Sequence, residues 1–278
     1  MLRTRLWMGA LLIALAAGVL AFDPGPWFPI LLVMMLLLSV AACCELLLLL
    51  GPERRPPTWF CLAATAAVVL ANWPAHLWDW GEPWRAVLYT FAAVVLAAFL
   101  LEMATFREPG QSVVRIALAV WTVAYLGLLP SFLAQLRWWP GDADRRGVAA
   151  LALTIFVPKF CDVGAYFTGR FLGRHRMSPV LSPKKTWEGL AGGLALSVLT
   201  AWALNHFLPA LPLSDLSAAG FGLAVGVAGV LGDLAESLVK RDCRQKDASQ
   251  ALPGYGGVLD VLDSILFAAP VAYWWLRG

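Results

Sequence analysis

The amino-acid sequence predicts an all-α fold: a polytopic integral membrane protein with about nine transmembrane helices. Three observations carry that expectation. Of 278 residues, 60% are hydrophobic and only 14% are charged, and the mean hydropathy of +0.72 is far too high for a water-soluble domain of this size. The apolar residues gather into runs of about 17–25, the length that spans a hydrocarbon core. Between the runs stand Pro, Gly and clusters of Arg and Lys, which end helices and mark loops at a membrane surface.

The first run, 5–22, follows Arg3 and Arg5 and contains Ala16-Ala17-Gly18, the outline of a secretory signal. Asp23-Pro24-Gly25-Pro26 reads better as a tight turn into a second span at 27–50, because Pro and Gly end one helix and start the next. Further spans are expected at 59–80, 85–104 and 113–134. They hold few internal polar groups, and Glu45 and Glu102 fall near helix ends where they can snorkel or cap. Residues 1–147 therefore read as an N-terminal scaffold of transmembrane helices. Spans at 148–170, 187–208, 217–239 and 258–276 make up the rest. Residues 148–278 read as the catalytic region of one integrated membrane domain, because polar groups sit inside their spans and two of their loops are long and basic.

Loop charge sets the orientation. With the N-terminus in the cytoplasm, that side receives Arg54, Arg55, Arg107, Arg170, Arg174, Arg176, Lys184, Lys185, Lys240, Arg241, Arg244 and Lys246 as well as Arg3 and Arg5. The other side receives only Arg85, Arg137, Arg145, Arg146 and Arg277. The expectation is an inner-membrane protein with its N-terminus cytoplasmic, its C-terminus outside and its densest loops on the side where nucleotides are found. Cys43, Cys44, Cys61, Cys161 and Cys243 show no metal-ligand spacing. The lone imidazoles His76, His175 and His206 suit interfacial or capping positions better than a metal site.

Polar groups inside spans need a reason to be there. A carboxylate at the bilayer centre costs about 2.5–3.5 kcal/mol on insertion scales, so Asp233 and Glu236 should face protein, water or an ion. Asp233, Glu236, Ser237 and Lys240 share one helical face, as do Lys159, Asp162, Tyr166 and Arg170 in the sixth span. The latter stripe is either a Lys159–Asp162 pair neutralising itself or the polar wall of a water-filled cavity. Ser182-Pro183-Lys184-Lys185-Thr186 brings hydroxyls and cations to the start of a helix, which suits a polyphosphate; an ordinary basic loop against anionic head groups is the alternative. Gly189, Gly192 and Gly193 then permit close helix approach. Asp260 and Asp263 lie three apart in the first turn of the last span. One such acid would be a helix cap. Two on one face, together with Asp233, read as a carboxylate cluster for a hard divalent cation.

These residues resemble the phosphatidate cytidylyltransferase family, the CDP-diacylglycerol synthases. The family signature runs S-x-hydrophobic-K-R, four residues, K-D, then a Pro or Gly shortly before H-G-G, two residues and D-R-hydrophobic-D. Ser237, Lys240, Arg241, Lys246, Asp247, Pro253, Gly256, Gly257, Asp260 and Asp263 fit it. Two upstream elements also match: D-x-x-A-Y-x-x-G-R at Asp162–Arg170, and S-P-K-K-T-x-E-G at Ser182–Gly189. Tyr255 stands where the family has His and Val261 where it has Arg, while all three Asp are kept.

The resemblance implies transfer of a cytidylyl group from CTP to phosphatidic acid, giving CDP-diacylglycerol and pyrophosphate. It implies one or two Mg²⁺ ions on Asp233, Asp260 and Asp263, and catalytic roles for Ser237, Lys240, Arg241 and Asp260. Arg170, Ser182, Lys184, Lys185, Thr186 and Lys246 would bind phosphate. The partners are CTP, phosphatidic acid and membrane lipids, without nucleic acid; a monovalent ion and a homodimer are left open. The alternatives are a CTP-dependent polyprenol or phytol kinase, and an ion- or lipid-binding scaffold weakened by the changes at Tyr255 and Val261.

Overall fold

The computed structural model describes residues 2–78, 82–139, 143–211, 213–252, 254 and 256–278, without the side chains of residues 2–6, 10, 53, 143 and 144. Pro253 and Tyr255, two of the signature positions, lie outside the described residues. The elements are α1 (Leu2–Phe22), α2 (Pro29–Leu49), α3 (Gly51–Arg54), α4 (Thr58–Leu70), α5 (Pro74–Trp78), α6 (Pro83–Thr105), α7 (Ser112–Val123), a π-helical turn (Ala124–Leu128), α8 (Leu129–Gln135), α9 (Ala143–Leu172), β1 (Arg176–Ser178), β2 (Ser182–Thr186), α10 (Trp187–Phe207), α11 (Asp215–Asp242) and α12 (Val258–Arg277).

Among the described residues, eight helical segments are long and apolar enough to cross a membrane: Pro29–Leu49, Thr58–Trp78, Pro83–Thr105, Ser112–Gln135, Arg145–Leu172, Trp187–Phe207, Asp215–Asp242 and Val258–Arg277. The apolar helix α1 stands ahead of them, so the all-α, polytopic architecture read from the sequence is the one observed. Two local features were not foreseen. The fifth span passes through a π turn at Ala124–Leu128, and the basic Ser182–Thr186 segment is not irregular loop but one strand of an antiparallel hairpin with Arg176–Ser178.

The chain divides into two compact units. The first comprises Met1–Gln135 and Asp247–Leu259. Its turn at Asp23–Pro26 is closed by Asp23, whose carboxylate accepts from the free amides of Ile30 and Leu31 at 2.9 Å each, a cap for the start of α2. Glu102 is buried and takes a forked pair of hydrogen bonds from Arg115, at 2.8 and 2.9 Å. Asn72, Ser131 and Gln135 are fully buried and bonded to one another, Asn72 donating to Ser131 Oγ at 2.9 Å and Gln135 to Asn72 Oδ1 at 2.8 Å. Buried polar groups satisfied in this way cost little.

The second unit comprises Leu136–Lys246 and Asp260–Gly278. Here α9 packs along α10 and α10 along α11, while α9 also meets α11. Small residues set these approaches. A Cβ on Gly189 would stand 2.9 Å from the Ala165 carbonyl oxygen, and one on Gly229 would stand 2.8 Å from Pro158 Cβ. A Cβ on Gly232 would collide with the Asp263 carbonyl. At the other end of the same contact, Ser217 Oγ accepts from Trp275 Nε1 at 3.2 Å, so α11 and α12 run antiparallel. The glycines bring Lys159, Asp233 and Asp263 to one place.

Candidate active site

α11 carries the centre of the site. It is long and apolar until Gly232, after which Asp233, Glu236, Ser237 and Lys240 follow on one face. Carboxylate oxygens of Asp233, Glu236 and Asp263 lie within 4.8 Å of one another. Glu236 is 1% exposed and Asp263 6%.

Three lysines from three elements hold this acidic group. Lys240 Nζ donates to Glu236 Oε2 and to Asp260 Oδ1, both at 2.6 Å. Lys185, from β2, reaches Asp233 Oδ2 at 2.8 Å and the Val230 carbonyl at 3.4 Å. Lys159, placed where Pro158 seats on Gly229, lies 3.5 Å from Asp263 Oδ1 and 3.7 Å from Asp162 Oδ2. Its charge is therefore shared across two helices rather than spent on Asp162 alone. Ionised throughout, this set opposes three ammonium groups to five carboxylates, a formal deficit of two positive charges. Glu236 Oε1 is buried with no hydrogen-bond partner, and an orphaned carboxylate oxygen in a dry interior is costly. A deficit of two charges and a bare oxygen, in an all-oxygen donor set, fit a hard divalent cation.

Of the carboxylates expected in the cluster, Asp233 and Asp263 lie in it. Asp260 lies alongside, on Lys240. Glu236, which the sequence places on the same face, is the additional member. Its signal was present: a Glu three residues after an Asp inside an apolar run, four before a Lys.

Arg241, exposed, donates from Nε to the Leu181 carbonyl at 3.3 Å and from Nη1 to the Gln245 carbonyl at 3.1 Å, which fastens the hairpin to the end of α11. Arg170 Nη1 donates to Tyr166 Oη at 2.8 Å. Lys184 and Lys246 are exposed. Ser237 Oγ donates to Asp233 Oδ1 at 3.5 Å. Ser182 pairs with Ser178 across the hairpin. Thr186 is the N-cap of α10, its Oγ1 accepting from Gly189 N at 3.1 Å, which leaves its O–H as a donor. Glu188 closes the hairpin against α10, accepting from the amides of Arg174 and His175 at 3.1 and 3.2 Å and lying 2.6 Å from His175 Nδ1. His175 is thus a partner of a structural carboxylate.

The site is thus a buried carboxylate–lysine centre beside a basic hairpin, in a bundle of helices long and apolar enough to cross a membrane. The chain belongs to the Cytidylyltransferase family, whose profile matches residues 2–277, as the three motifs led us to expect. It is 34% identical over 198 residues to a phosphatidate cytidylyltransferase of Synechocystis sp., covering 62% of this chain and 65% of that relative. It is 29% identical over 210 residues to the phosphatidate cytidylyltransferase of Staphylococcus aureus, covering 76% of each. With the Haemophilus influenzae phosphatidate cytidylyltransferase, identity reaches 42% over 124 residues, 43% of each chain.

Proposed function

We propose that the protein transfers the cytidylyl group of CTP to phosphatidic acid, giving CDP-diacylglycerol and pyrophosphate for phospholipid synthesis. The observation that carries this reading is the Asp233–Glu236–Asp263 centre with Lys159, Lys185 and Lys240 around it, in a chain of the Cytidylyltransferase family. An oxygen of the lipid phosphate attacks the α-phosphorus of CTP. One P–O bond forms, the α–β anhydride P–O bond breaks, and pyrophosphate leaves with the electron pair. The lipid phosphate is already ionised near neutral pH, so no general base is needed.

Two polyanions must meet in line, which makes positioning and charge neutralisation the main tasks. Lys185, at the junction of hairpin and cluster, and the exposed Lys184, Arg170 and Lys246 neutralise phosphates. Ser182 and the Thr186 O–H donate to phosphate oxygens. Ser237 orients Asp233, Arg241 holds the hairpin in place, and Lys240 keeps Glu236 and Asp260 apart in charge. We assign Mg²⁺ to Asp233, Glu236 and Asp263, with Asp260 alongside; when bound it supplies Lewis-acid neutralisation of phosphate charge. The membrane is the inner one, with the N-terminus cytoplasmic, which agrees with the bias of loop charge and with a CTP-binding face in the cytosol.

The test is incubation of purified, detergent-solubilised protein with phosphatidic acid, Mg²⁺ and each nucleoside triphosphate in turn, followed by lipid analysis. A CDP-lipid formed from CTP in preference to the others is expected. CDP together with a phosphorylated lipid alcohol would overturn the reading.

A further inference from the structure

Glu45 belongs to α2, among helices that read as scaffold, yet its carboxylate is buried at 6% exposure. Its partners are far along the chain. Oε1 accepts from Ser249 Oγ at 2.6 Å and from Val258 N at 2.9 Å, and Oε2 accepts from Leu259 N at 2.8 Å. Val258 and Leu259 open α12, where the first four amides of a helix have no partner within it. One carboxylate therefore supplies acceptors for two of them and places negative charge at the positive end of the helix dipole. Gly257 makes this approach feasible, since any Cβ there would collide with the Glu45 carboxylate. Ser249 extends the anchor into the preceding loop, because its Oγ also accepts from Ala251 N at 3.1 Å.

The residue after Leu259 is Asp260, and Asp263 follows one turn later. An Asp, Ser or Thr just ahead of the helix is the usual means of capping its first amides. Here the acceptor comes from another helix more than two hundred residues earlier in the chain, so the first turn is fixed by tertiary contact. We infer that Glu45 is a positioning residue for the reaction: by clamping the first two amides of α12, it sets the turn from which Asp260 and Asp263 project. It does not touch substrate. The inference rests on the functional reading above for the role of the two aspartates.

The experiment compares wild type, Glu45→Gln, Glu45→Asp and Ser249→Ala as full-length protein in detergent. Each is measured for thermal unfolding, for CDP-diacylglycerol formation across Mg²⁺ concentrations, and for direct binding of Mn²⁺. Gln keeps one acceptor oxygen and fills nearly the same volume, so Glu45→Gln should unfold within a few degrees of wild type. Its turnover should nevertheless fall at least tenfold, the half-saturating Mg²⁺ concentration and the Mn²⁺ dissociation constant should rise at least threefold, and the KM for CTP should stay within twofold. Glu45→Asp, which keeps the charge, should recover part of the metal affinity, and Ser249→Ala should show a smaller change of the same kind. A purely structural cap would lower activity only in proportion to folded protein and leave both metal midpoints unmoved, which would overturn the inference while the functional reading stands. If wild type made no CDP-lipid, the functional reading would fail first. An unchanged Mn²⁺ midpoint in Glu45→Gln would then overturn the positioning role independently.

Discussion

Lys240 shows how closely the single residues of this site depend on each other. Its ammonium group, 9% exposed, is hydrogen-bonded to two carboxylates that would otherwise face each other across a dry interior. Removing one partner of such a group leaves an uncompensated buried charge, which costs about 3–5 kcal/mol in soluble proteins. Lys240→Met should therefore lower both stability and turnover, with a drop of several degrees in unfolding temperature and activity reduced at least a hundredfold. Wild-type turnover in Lys240→Met would remove that residue from the site. Asp263→Asn should abolish most turnover and weaken Mn²⁺ binding without loss of the folded bundle, because Asn keeps the shape but not the charge. Asp247→Asn, exposed and outside the cluster, should cost less than threefold; similar losses in the two variants would contradict the assignment. Much of this site was legible at the residue level. Asp233, Glu236 and Lys240 announce themselves as charges inside an apolar run, and the cost of leaving them in lipid forces a partner. That Asp260 pairs with Lys240 while Glu236 joins Asp233 and Asp263 depends on side-chain directions between helices, which spacing along one helix does not reveal.

At the scale of elements, the site exists because α9, α11 and α12 approach at small residues. Gly232 lies against the Asp263 carbonyl and Gly229 against Pro158, one residue from Lys159. Gly232→Val should push α12 off α11, lowering the unfolding temperature and cutting turnover at least tenfold, as seen by thermal melting and CDP-lipid formation. A variant with wild-type values of both would show that the contact is slack. The spans themselves were readable from apolar length, since lipid demands an unbroken run of helix-compatible apolar residues. The hairpin at Arg176–Thr186 was not. It has too few residues for a strand period to stand out, and its order is supplied by Glu188, Arg241 and the Thr186 cap, contacts that come from other elements. Likewise Glu45 looked like an end-of-helix acid, because nothing in its own neighbourhood names Ser249, Val258 and Leu259 as its partners.

For the molecule as a whole, topology and reaction can each be measured directly. Lys246→Cys, in a variant freed of the chain's five other cysteines, should resist a membrane-impermeant maleimide in intact cells and react once the membrane is permeabilised. Labelling before permeabilisation would reverse the orientation. The carboxylate–lysine centre should move a cytidylyl group to a lipid phosphate. The most direct measurement follows two isotopic labels in parallel, one in the α-phosphate of CTP and one in the γ-phosphate, with phosphatidic acid and Mg²⁺, in wild type and Asp263→Asn. Cytidylyl transfer at this centre requires that the α label enter the lipid fraction, that the γ label appear as pyrophosphate in equal amount, and that Asp263→Asn do little of either. Transfer of the γ label to lipid, or undiminished α transfer in Asp263→Asn, would contradict it.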